Sequence, residues 1–369
     1  VINMYFDYTA TTKMDDEVLK AYIEIQSKYY ANTTSLHSFG QRCNNICEQM
    51  KSEIKRILNV EGNIIFTSNA TEANNLAIFG LLGEKKGKII TTKIEHPSVY
   101  EVFQELEKKG YEVCYLDVDE MGIIDLDMLK REMNKDVILV SIMWVNNIVG
   151  SIQPIKEVIE IVKGYSKAKL HVDAVQGICK IKPDFDLNKI DAFTFSAHKF
   201  YGPKGIGAII HRKEIMLQPR LFGSNAQEGI KPGTYDLGLV VCLAKALKKY
   251  YYKVDEHFDY VKELSEYIVS RINNPKVIIN SHVSEKNSPY IINISVLGIL
   301  GETVVHIFES QDMYVSTGSA CSSKLQKPEK TIYAMTKDIN RAKSTVRISL
   351  SHLTTREEAD KLINVINNI

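Results

Sequence analysis

The chain has 369 residues, 46 Lys+Arg against 45 Asp+Glu and a formal charge of +1, so it lacks the basic excess with which nucleic-acid binders displace counterions. At this length one hydrophobic core stops growing, and two domains, or a large domain with a smaller annexe, are expected. Six cysteines make no disulfide framework in so long a chain, and neither a membrane-length apolar run nor a basic-then-apolar opening is visible, which predicts a cytoplasmic protein with small-molecule and protein partners.

In chain order, Cys43 and Cys47 share a helical apolar face with Ile46, Met50 and Ile54, so core packing accounts for them better than metal or redox chemistry. From about residue 40 to 210, apolar strand-like runs alternate with helical patterns. Residues 63–66 read as a strand and 71–82 as a helix; 87–92 is a second strand, after which Val99, Val102, Phe103 and Leu106 repeat at helical spacing. A strand follows at 111–116, and 137–145 is apolar apart from Ser141, as expected of a strand covered on both faces. Runs at 170–173, 192–195 and 207–210 complete the set. The alternation predicts an α/β fold with a mostly parallel sheet wrapped by helices. Beyond Lys248 the pattern becomes mixed α+β and ends in a polar helix at 355–369. A boundary near 252 divides the chain into a large domain, 13–251, and a small α+β domain made of 1–12 and 252–369.

Ligands of open α/β sheets sit outside the carboxyl ends of the strands, and polar residues occur there repeatedly. After the first strand come Thr67, Ser68, Asn69, Ala70 and Thr71, small and hydroxyl-rich, leading into a helix whose free N–H groups suit a phosphate. His96 follows the second strand, Asn146 and Asn147 the long apolar one, then Asp173 and Gln176, and finally Ser196, Ala197, His198 and Lys199. Taken singly, the hydroxyls are ordinary helix caps, the histidine a satisfied polar group and the lysine a solvated one. One acid, one lysine, one histidine and a phosphate-suited turn, all at strand ends, make a site. Pyridoxal phosphate needs such a set: a lysine for the Schiff base (Lys199), an aspartate for the ring nitrogen (Asp173) and a phosphate cup. The glycine-rich run 202–207 lacks the spacing of a nucleotide loop.

The ordered segments resemble those of the class-V aminotransferase-fold cysteine desulfurases, over nearly the whole chain. Phe66-Thr67-Ser68-Asn69-Ala70-Thr71 resembles the phosphate turn of that family, Glu95-His96 the histidine that stacks on the ring, and Val145-Asn146-Asn147 the asparagine that contacts cofactor and substrate. His171-Val172-Asp173-Ala174-Val175-Gln176 is similar to the segment with the ring-nitrogen aspartate and the phenolate-binding glutamine, and Ser196-Ala197-His198-Lys199 to the phosphate-binding serine and histidine beside the Schiff-base lysine. Gly233-Thr234 resembles a turn that reaches the neighbouring subunit's phosphate, which implies a homodimer. Ser316 to Cys321 is similar to the loop with the persulfide cysteine, and Val346-Arg347-Ile348-Ser349 to the strand whose arginine binds the substrate carboxylate.

The resemblance implies fold type I, with pyridoxal 5'-phosphate held by Ala70, Thr71, His96, Asn147, Asp173, Gln176, Ser196, His198, Lys199 and Thr234. It implies conversion of L-cysteine, bound by Asn147 and Arg347, to alanine, with Lys199 as acid and base, His96 assisting by stacking and proton transfer, and Cys321 taking the sulfur for an acceptor or cluster-scaffold protein. No metal site is expected. Asn69 stands where the family usually has Gly, Lys231-Pro232 replaces an Arg-containing pair, and Ser351-His352 stands where Gly-Arg is common. An aminotransferase or selenocysteine lyase on the same fold, which would not need Cys321, and a weakly active scaffold paralogue remain open.

Overall fold

The computed structural model describes residues 4–165, 167–318 and 327–369. Its main sheet has seven strands: β2 (Asn63–Thr67), β3 (Lys88–Thr92), β4 (Glu112–Leu116), β5 (Val137–Met143), β6 (Lys169–Asp173), β7 (Ala192–Ser196) and β8 (Gly207–His211), in the order β2-β8-β7-β6-β5-β3-β4. Strands β7, β6, β5, β3 and β4 run parallel, and β8 is antiparallel to both its neighbours. Every residue of β5 is buried, as the unbroken apolar run requires of a central strand.

Side chains alternate between the two faces of a strand, and the strands use both. Ile65, Ile89 and Leu139 pack under α3 (Ala70–Leu82) and α4 (Pro97–Lys108), whereas Ile64, Phe66 and Ile90 point to the opposite core. That core takes in α1 (Asp16–Lys28) and α2 (Ser38–Leu58), and Cys43 and Cys47 are fully buried in it. It also takes in the later helices Ile155–Lys163 and Leu237–Tyr251. Among the described residues no helix is long and apolar enough to cross a membrane.

A second core gathers Met4 and Phe6 with residues from Val261 to Ile366. Its sheet is antiparallel, β9 (Val277–Ile279), β10 (Ile291–Val296) and β12 (Thr345–Ser349) in the order β12-β10-β9, and β1 (Met4–Tyr5) pairs in parallel with β11 (Met313–Tyr314). The N-terminal segment links the two cores. Phe6 is buried in the second, the Thr9 N–H donates to Ser349 Oγ at 2.9 Å, and Thr12 donates to the His198 carbonyl from its N–H at 2.9 Å and its hydroxyl at 3.0 Å. The strand bearing Arg347 and the turn bearing Lys199 are thereby tied to one short stretch of chain.

Gly177 lies in the turn that follows β6. A Cβ there would fall 2.0 Å from Cε3 of Trp144, which is itself 1% exposed just beyond β5. Only hydrogen fits against the indole, so the turn that carries Asp173 and Gln176 lies flush on Trp144. Overpacking of this kind typically costs about 1–3 kcal/mol. Gly177→Ala is therefore expected to lower the denaturant midpoint of the first unfolding transition, and an unshifted midpoint would contradict this packing.

Candidate active site

The carboxyl ends of β5, β6 and β7, the first turns of α3 and α4, the N-terminal segment and β12 enclose a cavity of about 380 Å³. Its lining includes Ala70, Thr71, His96, Asn147, Asp173, Gln176, His198, Lys199 and Arg347, which the sequence spreads over 278 positions.

Lys199 closes the 3-10 turn Ala197–Lys199 after β7, and its Nζ donates to the carbonyls of Thr9 and Ala10, each at 2.8 Å. Burial lowers its pKa to about 8, with Arg347 acting in the same direction and Asp7 and Asp173 opposing. Asp173, the last residue of β6 and 5% exposed, accepts from Val175 N–H at 3.0 Å and from Asn74 Nδ2 at 2.9 Å. Burial raises its pKa in spite of those donors and of Lys199.

His96 caps α4, its Nδ1 accepting from Ser98 N–H at 3.1 Å, and burial pushes its pKa down to about 4, helped by Lys199, Lys330 and Arg347. His198 is lowered to about 4 by burial first and then by Lys199, and its Nδ1 lies 3.1 Å from Thr11 Oγ1. Gln176 Nε2 donates to the Thr9 carbonyl at 3.1 Å, and its Oε1 receives Lys180 Nζ at 2.6 Å. Lys180 is buried, and burial, then Lys199 and Arg347, lower its pKa to about 7.

The alternation around Arg347 leaves its direction open in the sequence. It points into the cavity, with Nη2 on Asp7 Oδ1 and Nη1 on the Asn147 carbonyl, both at 2.9 Å, while the buried Nε has no partner among the described residues. Asn146, beside Asn147, is consumed by the local turn, its Oδ1 accepting from the N–H groups of Ile148 and Val149. At the start of α3, Asn69 caps the helix with extended backbone, Oδ1 accepting from Glu72 N–H at 2.9 Å. An asparagine therefore serves here without strain. Lys231 pairs with Glu72 at 2.7 Å, and Ser351 Oγ lies 2.6 Å from Tyr201 Oη.

Two of the sequence-predicted residues stand apart from the cavity. Ser196 is fully buried and its hydroxyl donates to the Ile206 carbonyl at 3.2 Å. Thr234 is exposed and lines a second cavity with Ser68, Gly205 and Lys231. Cys321 lies outside the described residues.

Sequence reasoning gave no role to Asp7, Asn74, Ser98 or Lys180. Asn74 had a weak signal: with Asn75 it is the last polar pair before the apolar run 76–82 of its helix. The others look like ordinary surface or capping residues until the chain is folded.

The donor set suits pyridoxal phosphate. A primary amine of lowered pKa shares one cavity with a buried carboxylate, an imidazole, the first turn of a helix and His198.

The aminotransferase class-V family profile matches residues 4–362. A "NifS/IcsS protein homolog" of Lactobacillus delbrueckii subsp. bulgaricus is 39% identical, over 99% of this chain and 97% of that relative. "Cysteine desulfurase IscS" of Dictyoglomus turgidum is 35% identical, over 99% and 94%. A solved structure described as "NIFS-LIKE PROTEIN" superposes with a TM-score of 0.92 at 34% identity, covering 100% of this chain and 99% of that one. The architecture is that of the fold-type I pyridoxal-phosphate enzymes. This chain belongs to the aminotransferase class-V family and, within it, to the NifS/IscS cysteine desulfurases.

Proposed function

We propose that the protein is a pyridoxal-phosphate-dependent cysteine desulfurase that turns L-cysteine into L-alanine, receives the sulfur on Cys321 and passes it to an acceptor protein, for iron-sulfur cluster or thio-cofactor synthesis. The observation that carries this reading is the lysine of lowered pKa set in one cavity with the buried carboxylate of Asp173 and the inward guanidinium of Arg347.

The bound cofactor supplies an electron sink next to the substrate's α-carbon. The chain's own groups do the rest. Asp173 would face the ring nitrogen, Gln176 and His198 its oxygen substituents, His96 its flat side, and the N–H groups of Ala70 and Thr71 its phosphate. Arg347 offers a planar fork that matches a carboxylate by two parallel hydrogen bonds, and Asn147, whose carbonyl already holds that fork, borders the substrate position. Lys199 moves the α-proton; a pKa near the working pH lets it both take and return one. The Cys321 thiolate attacks the substrate sulfur. The sulfur–sulfur bond forms as the carbon–sulfur bond breaks, and its electron pair stays with the β-carbon, which takes a proton and leaves as alanine. Thr234, which is exposed and lines a different cavity from the one that holds Lys199, fits a homodimer in which the phosphate site of each subunit is completed by the other.

Cofactor uptake tests the lysine. Amine attack on the aldehyde needs neutral Nζ, so uptake by the cofactor-free protein should rise with pH and level off above about 8, where an ordinary lysine would keep rising towards its usual range. The visible absorbance that follows mixing reads this directly. Lys199→Ala should develop no such covalent absorbance, and an unchanged band would remove Lys199 from its role.

The mass in solution tests the dimer. Sedimentation should give twice the chain mass, and a monomer that keeps cofactor and full activity would contradict the shared phosphate site.

Cys321→Ser tests the sulfur acceptor, because a hydroxyl of nearly the same size is a far poorer nucleophile towards sulfur. The variant should keep its fold and cofactor absorbance and lose sulfide release. By mass spectrometry, wild-type protein incubated with cysteine should hold a reducible extra sulfur on Cys321. Turnover of cysteine by the variant would instead favour an aminotransferase-type reading.

A further inference from the structure

We propose that His96 works as a neutral hydrogen-bond donor through Nε2, held in that form by Asn74 and Ser98 as positioning residues, so that proton transfer in the reaction falls to Lys199. The proposal rests on the functional reading above, but its geometry stands by itself.

The Ser98 backbone N–H lies 3.1 Å from His96 Nδ1. A backbone N–H can only donate, so Nδ1 must present a lone pair, and the neutral ring carries its hydrogen on Nε2. The Ser98 hydroxyl reinforces this. Its oxygen is 2.8 Å from the same Nδ1 and accepts from Asn74 Nδ2 at 2.9 Å. With a lone pair engaged by the amide, its hydrogen is directed at Nδ1.

The orientation of Asn74 is fixed in turn. Nδ2 also donates to Asp173 Oδ2 at 2.9 Å, and Oδ1 accepts the Thr194 hydroxyl. A flipped amide would set its oxygen against the carboxylate. Asn74 and Thr194 are fully buried, and Ser98 and Asp173 are 7% and 5% exposed, so water does not compete. The chain Thr194 to Asn74 to Ser98 to His96 is polarised in one direction.

The ring lines the cavity, and with Nδ1 occupied, Nε2–H is the donor it has left. To serve as a base, Nε2 would first have to lose its hydrogen. To serve as an acid, the ring would first have to bind a proton at Nδ1, evicting the Ser98 N–H and turning the hydroxyl away. The charged groups that face the ring oppose that proton: Lys199, Lys330 and Arg347 all lower the His96 pKa, after burial itself. Among the described residues no carboxylate is hydrogen-bonded or ion-paired to the ring, although Asp7 and Asp173 share its cavity. Glu95 turns its Oε1 to the Thr92 hydroxyl and the Met143 N–H, and Asp173 reaches His96 only through Asn74 and Ser98. A histidine in this state can polarise or hold a group in the cavity without changing its own charge, as a neutral imidazole does elsewhere at enzyme sites.

The test has a spectroscopic arm and a kinetic one. Protein labelled with ¹⁵N-histidine, with and without cofactor, should show His96 with Nδ1 unprotonated and Nε2 protonated, the signal being identified by its loss in His96→Gln. It should stay so from about pH 8 to about pH 5, the range in which an ordinary histidine titrates. Ser98→Ala removes one of the two donors to Nδ1 and should shift the Nδ1 resonance and raise the pKa. An unmoved resonance would overturn the role of the Asn74–Ser98 relay. In the kinetic arm, His96→Gln keeps a neutral N–H donor, whereas His96→Phe keeps only a flat ring. The glutamine variant should hold about a tenth or more of the wild-type kcat and clearly exceed the phenylalanine variant. Equal falls of about 10²-fold or more, the size of a lost general acid or base, or a proton found on Nδ1, would overturn the proposal. Wild-type protein with the Nε2–H ring and no cysteine turnover would instead defeat the functional reading and leave the assignment of the ring standing.

Discussion

Asp173 ends β6 with both carboxylate oxygens engaged, one by the Val175 N–H and the other by the Asn74 amide, and burial still raises its pKa. Hydrogen bonds alone do not repay the loss of water around a buried charge, a penalty of several kcal/mol per ion. The cavity's amine is held off its ordinary state in the opposite sense. Lys199 is pushed down by burial and by Arg347, and its neighbour Lys180 by burial, Lys199 and Arg347. The site is built with a cationic and an anionic deficit at fixed places. A ligand that brings a protonated ring nitrogen to Asp173 and anionic groups to the lysines and Arg347 relieves both, and pyridoxal phosphate carrying an amino acid has that charge pattern.

The same carboxylate organises the framework. Through Asn74 it ties α3 to β6, through Thr194 to β7, and through Ser98 to the start of α4. Every one of these groups is buried, so the network is satisfied only when all of its members are present. The N-terminal segment then joins this floor to the smaller sheet: Asp7 holds Arg347, the Thr9 carbonyl holds Lys199 and Gln176, and Thr12 holds the backbone of the turn that carries Lys199.

The central strands and their helices are legible in the sequence because hydrophobic periodicity reports burial directly: 63–66, 71–82 and 137–145 differ from the observed β2, α3 and β5 only at their ends. Residues at strand ends could be collected into one site because the topology puts the carboxyl ends of the parallel strands together. What escaped the sequence depends on side-chain direction. Arg347 within an apolar alternation has no sign of its own, and the Ser98 hydroxyl reads as a helix-start residue whether or not it touches a histidine. Asn69 and Lys231 looked like departures from a pattern and turn out to serve α3, one as its cap and the other as a partner of Glu72. Ser351 and His352 likewise found partners that spacing could not reveal, in Tyr201 and in the ring of His257, stacked at 4.0 Å.

The central claim is that the cavity removes sulfur from cysteine and returns alanine, and the balance of products tests it most directly. With a thiol reductant present, the cofactor-loaded protein should release sulfide and L-alanine in equal amounts from L-cysteine. Sulfide accompanied by pyruvate and ammonia in place of alanine, or amino-group transfer from cysteine without sulfide, would contradict the account.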